Sequence, residues 1–69
     1  MKTQPFAAMP ALDFNCRLVY LTPAGHRRHS SHKTRAITAD IALEIAERQL
    51  RRDKRRRVAS VVYGEAIQQ

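Results

Sequence analysis

Between positions 14 and 20 an apolar or sulfur-bearing side chain returns at every second residue: Phe14, Cys16, Leu18 and Tyr20. Asn15 and Arg17 fall between them. A period of two puts the first set on one face of a β-strand running over 14–21. Such a strand is not stable by itself. Its apolar face has to be withdrawn from water, so the rest of the chain must supply neighbouring strands and a cover.

The cover is an amphipathic helix. Between 39 and 51, Ile41, Ala42, Leu43, Ile45, Ala46 and Leu50 share one broad arc. Glu44, Glu47, Arg48 and Arg51 occupy the opposite side, as expected of a helix packed on one face. Thr38 is placed to cap its N-terminus, and Asp40 lies where the helix dipole favours an acid. Asp53 breaks the periodicity, which predicts a helix end near Arg51.

Two strands flank this helix in the sequence. Thr22, Pro23, Ala24 and Gly25 form a turn signal after the first strand. The polar run that follows reads as the tip of a long hairpin, with a charged edge strand returning over 33–37. After the helix, residues 58–63 are rich in valine and end in Tyr63, the composition of a third strand. Gly64 is expected to end or bulge it, leaving 65–69 as a short continuation. Pro5 and Pro10 deny a helix to 1–12, which reads as an N-terminal arm pinned by Phe6, Met9 and Leu12.

The expected architecture is therefore α+β: a small single domain over 13–69 with order β-β-α-β. Its three-stranded antiparallel sheet carries one helix on one face. A right-handed crossover from strand 2 through the helix places strand 3 beside strand 1, giving the sheet order 2-1-3.

Sixty-nine residues make a marginal core, because so short a chain buries only about 60% of its unfolded surface. The 43% apolar content suffices for such a core and argues against disorder. Cys16 is the only cysteine, so no internal disulfide is expected. A lone thiol fits a reducing, cytoplasmic setting. No apolar run reaches the roughly 18 residues of a membrane span, and the N-terminus has no export pattern. A membrane partner is not expected.

Charge carries the functional information. The run 26–35 holds four Lys/Arg and no acid; the run 48–57 holds seven and one acid. Together they carry +10, more than the +7 of the whole chain, so the remainder is slightly acidic. In the β-β-α-β order the hairpin tip and the helix-to-strand-3 turn lie at the same end of the sheet, which would merge the two runs into one patch. Segregated charge of this kind draws an anionic partner. The candidate contacts are Arg27, Arg28, Lys33, Arg35, Arg48, Arg51, Arg52, Lys54, Arg55, Arg56 and Arg57. Ten of the thirteen cations are arginine, whose forked donors suit phosphate and carboxylate alike. Tyr20 and Tyr63 would stack on bases if the sheet exposed them, although core filling is the commoner fate.

Other chemistries have less support. His26, His29 and His32 recur every three residues with Cys16 upstream. The spacing is not that of a zinc site, and the surrounding Arg and Lys would repel a cation, so neither a metal nor any other cofactor is expected. An enzyme is not expected either. There is no paired-carboxylate motif, no Gly-rich phosphate loop and no nucleophile elbow, and Cys16 reads as inert core. RNA cleavage by the loop histidines is a distant third reading.

In size, charge segregation and β-β-α-β order the chain resembles small proteins encoded by phages and mobile elements, among them the anti-CRISPR proteins. At residue level the likeness rests on the helix-to-strand passage from 38–50 into 58–63. It implies an inhibitor or regulator that occupies a host protein or its nucleic acid, and it transfers no functional residue. Two readings follow. In the first, the Arg-rich end docks on nucleic acid or a nucleoprotein complex. In the second, an inhibitor binds an acidic surface of a host protein without touching nucleic acid. Self-association through the helix stripe or through strand 3 would enlarge the core, so a homodimer is also expected.

Overall fold

The computed structural model describes residues 10–69. Strand β1 spans Leu12–Leu21, β2 Arg27–Ala36 and β3 Ser60–Gln68. Helix α1 spans Ala39–Lys54, and a 3-10 turn at Arg55–Arg57 leads into β3. The sheet order is β2-β1-β3, with β1 antiparallel to both neighbours. The α+β, β-β-α-β architecture and the 2-1-3 order expected from the sequence are both present. No helix among the described residues is long and apolar enough to cross a membrane.

The alternation in β1 works as its period requires. Phe14, Cys16, Leu18 and Tyr20 are buried beneath α1 together with Ala36, Ala42, Ala46, Leu50 and Val58. Ala42 and Ala46 have no exposed surface. Their small side chains let the helix backbone sit close over the strands. Gly64 adds to this on β3, since a Cβ there would stand 3.0 Å from Leu18 Cδ2 and 3.3 Å from Leu43 Cδ2. Thr34, the one buried polar side chain among the described residues, is satisfied by Cys16 Sγ at 3.4 Å from its Oγ1. Cys16 is a fully buried core thiol. Thr38 caps α1 in extended geometry, its Oγ1 accepting from the Ile41 N–H at 3.3 Å.

The element boundaries differ from the sequence reading in four places. First, β2 begins at Arg27, not at 33, so the His/Arg run is strand and not hairpin tip. The tip is the tight turn at 22–26. There the Gly25 N–H donates to the Thr22 carbonyl at 2.8 Å, and the Thr22 N–H donates to the His26 carbonyl at 2.9 Å. Gly25 has φ +86°, the left-handed value that lets a three-residue loop close a hairpin. With the turn fixed there, each β2 residue meets a partner along β1, from Leu21 opposite Arg27 to Leu12 opposite Ala36. As an edge strand β2 tolerates the charge.

Second, α1 continues past Arg51 to Lys54. Asp53 projects into solvent, so a polar residue there does not stop the helix. Third, β3 runs through Gly64 to Gln68. The irregularity lies two residues earlier, where Tyr63 pairs with Val19 and Val61 with Tyr20, leaving Val62 as the extra residue of a bulge. Fourth, Leu12 opens β1 and packs half-buried on the core, so it is strand and not arm. The rest of the expected arm as far as Met9, including Phe6, lies outside the described residues.

Candidate anion-binding end

Register and strand alternation decide where each cation goes. Arg28, Ser30, His32, Thr34 and Ala36 stand opposite β1 residues that face α1, so they share that face. Arg27, His29, Ser31, Lys33 and Arg35 fall on the face without a helix. His29 and His32 therefore point to opposite sides of the sheet and cannot converge on one ion. Among the described residues no group of His, Cys, Asp or Glu is arranged to hold a metal.

The two basic runs meet at one end, but only in part. The hairpin turn and the start of β2 lie beside the C-terminus of α1 and the 3-10 turn. They border an open cleft of about 670 Å³ lined by Arg28 and the adjoining His29 of β2 and by Lys54, Arg56 and Arg57. Pro23 and Ala24 of the turn complete its rim, and the buried ring of Tyr20 lies at its base. Arg27 and Arg55 are exposed on the same end. Lys33 and Arg35 do not belong to it. Arg35 lies seven residue steps of extended chain from Arg28, about 23 Å at ~3.3 Å per step.

Ion pairing separates the candidates further. Arg48 lies 3.9 Å from Glu44, Arg51 3.4 Å from Glu47, Arg52 3.6 Å from Asp53 and Arg35 3.8 Å from Asp13. Each of these exposed pairs adds little stability. They nevertheless lower the net charge of the helix flank and of the far end of β2. Arg27, Arg28, Lys54, Arg55, Arg56 and Arg57 at this end take part in no ion pair among the described residues, and neither does Lys33 farther along β2. The cations that line the cleft, Arg28, Lys54, Arg56 and Arg57, are all among the unpaired ones.

Backbone geometry adds a second observation. Arg55, the C-cap residue of α1, has φ 49° and ψ −114°, and its N–H donates to the Arg51 carbonyl. A non-glycine residue in this region costs on the order of 1–3 kcal/mol, and such strain clusters at functional sites. A glycine would relieve it, yet the chain has arginine here, in the middle of the unpaired cluster.

The sequence reading had Arg28, Lys54, Arg56 and Arg57, and did not have His29 or the turn residues as part of one cleft. The signal for the turn was the Thr-Pro-Ala-Gly run itself, which fixes how far β2 extends. Glu44 with Arg48 and Glu47 with Arg51 are four apart, a spacing that announces helix-surface pairs and would have removed those two arginines from the site. The tyrosines part company. Tyr20 is 5% exposed in the core. Tyr63 is 54% exposed on the helix-free face, its hydroxyl donating to Glu65 Oε1 at 3.0 Å. That bond, with the nearby carboxylate charge, holds the Tyr63 phenol above its ordinary pKa of 10.0.

The chain matches no protein-family profile, no curated protein and no solved structure.

Proposed function

We propose that this is a binding protein that docks its Arg-rich end onto the phosphates of nucleic acid, free or within a nucleoprotein complex. The observation that carries the reading is the partition of charge. Asp13, Glu44, Glu47, Asp53 and Glu65 each lie within 4 Å of an arginine of the helix flank or of the sheet, while the cations that line the cleft have no carboxylate that close among the described residues. Closely spaced guanidinium and ammonium groups neutralise phosphate and release its counterions, and this gives affinity without any reading of base sequence. The strained backbone at Arg55 supports the same reading, since it concerns the residue at the centre of the cluster.

An acidic protein surface would satisfy the same charges, but protein interfaces draw most of their energy from central apolar or aromatic anchors. Among the described residues the exposed large apolar side chains are Ile37, Ile41, Val62, Tyr63 and Ile67, and none of them lines the cleft. This favours a phosphate backbone over a protein partner.

Fluorescence-anisotropy titration with random-sequence DNA and RNA, single- and double-stranded, tests the proposal. Six unpaired cations each contribute about −0.9 to the slope of log K against log salt, so the expected slope is near −5. Between 50 and 200 mM salt the affinity then falls by roughly a thousandfold. Absence of binding at 50 mM salt, or binding indifferent to salt, would overturn the reading and turn attention to an acidic protein.

A further inference from the structure

The two edges of the sheet differ in a way that the charged end does not explain. β2 carries Arg27, Arg28, Lys33 and Arg35, and repulsion between like charges guards it against pairing with another strand. β3, of sequence SVVYGEAIQ, has no lysine, arginine or proline, and its one charge is Glu65. Of the five exposed large apolar side chains among the described residues, Val62, Tyr63 and Ile67 belong to it. Its outer side pairs with nothing among the described residues.

Which backbone groups are free follows from one hydrogen bond. The Gln69 N–H donates to the Asp13 carbonyl at 2.9 Å, so these two residues form a bonded pair of the β1–β3 ladder. In an antiparallel ladder bonded and non-bonded pairs alternate. Ile67, Glu65 and Tyr63 therefore direct their N–H and C=O groups at β1. Gln68, Ala66 and Gly64 direct theirs away from the sheet.

We infer that β3 is a homodimerisation edge, pairing antiparallel with β3 of a second copy to make a continuous six-stranded sheet. The occupant is another copy because of charge. A molecule of net +7 repels itself at every cationic surface, and β3 is the sheet edge that has no cation and carries an acid. A two-fold axis at Ala66 exchanges bonds between Gly64 and Gln68 of the two copies, and between the two Ala66 residues. It sets Glu65 opposite Ile67, so no like charges meet. The straight segment after the Val62 bulge is the part that pairs. An axis perpendicular to the sheet keeps both helices on one face and directs the two basic ends to opposite poles, so the association leaves the clefts open. It does not depend on what the clefts bind. So short a contact buries less than the roughly 1,200 Å² of a standard interface, which predicts self-association in the micromolar range and not an obligate dimer.

Sedimentation equilibrium on the full chain from about 1 µM to 1 mM, at 300 mM salt to screen the basic ends, reads the mass. The expected result is a rise from the 7.9 kDa of one chain toward twice that value. Amide exchange followed by NMR reads the site. Protection of Gly64, Ala66 and Gln68 should grow with concentration, while Tyr63, Glu65 and Ile67 are protected throughout. Gln68→Pro deletes an outward donor without removing a β1 bond, so it should weaken dimerisation at least tenfold and leave the circular dichroism spectrum unchanged. A monomer at 1 mM overturns the inference. So does a dimer whose Gly64, Ala66 and Gln68 amides exchange freely, and so does protection of those amides that is independent of concentration.

Discussion

Two single residues hold opposite roles at the basic end. Leu50 is fully buried on the last full turn of α1 that faces the sheet, and it anchors the segment from which Lys54 and the 3-10 turn project. Leu50→Ala removes its side chain from a core with few large residues. The expected loss is about 2–5 kcal/mol, comparable to the whole stability of a domain this small, and urea unfolding should show partial or complete unfolding at 25 °C. Arg55 works in the other direction. At φ 49° a glycine is unstrained, so Arg55→Gly should raise stability by about 1 kcal/mol in the same urea experiment, although it removes a charge. If nucleic-acid affinity falls in that variant while stability rises, the strain and the charge at Arg55 are separable. A stability loss would show that the turn geometry is set by contacts of the arginine side chain.

At the scale of elements, α1 is joined to β2 by a contact sensitive to pH. His32 is half-buried on the helix side of β2, its Nε2 at 2.9 Å from Ser30 Oγ. Burial lowers its pKa below the ordinary 6.5, an effect that Asp53 and the Gln49 side chain oppose and that Lys54 reinforces. The unfolded chain therefore binds a proton here more readily than the folded one. His32 thus contributes stability that is present above pH 6.5 and is lost as pH falls through the lowered folded-state value. Thermal unfolding between pH 8 and pH 5 should show this loss, and His32→Gln should remove that component of the pH dependence. None of this was legible in the sequence, where His32 sat in a presumed loop. Strand β1 and the body of α1 were legible, because periods of two and of 3.6 are written directly in apolar residues. The first half of β2 was not. Its strand character comes from the tight turn at 22–26 and from ten residues of β1 offering partners, not from its own composition. Likewise Gly64 reads as a strand end or a bulge, but in the fold it continues β3 in register and admits Leu18 and Leu43 against it.

At the scale of the whole molecule, the topology joins two distant charge runs and the acids then divide them. The shared end was legible, since in a β-β-α-β order the first hairpin and the helix exit must lie together. The division was legible only for the i,i+4 pairs. The ion pair of Asp13 with Arg35 is not an i,i+4 pattern and follows only once the turn at 22–26 has set the strand register. The division makes a quantitative prediction about long-range charge. Arg28, Arg56 and Arg57 line the cleft unpaired, whereas Arg35, Arg48 and Arg51 are as cationic but lie beside carboxylates. Replacing either set by alanine changes the net charge of +7 by the same three units, so a purely global attraction would respond equally to both. Local docking at the cleft predicts otherwise. The first triple variant should reduce the salt slope by about 3, and it should lower affinity at 100 mM salt by more than tenfold. The second should change the slope by less than about 1, because Arg35, Arg48 and Arg51 do not line the cleft and so neutralise no phosphate docked there. Anisotropy titrations of the two variants against one oligonucleotide decide between these outcomes. Equal losses would assign binding to the overall charge of the molecule, and a selective loss in the first variant would assign it to the cleft.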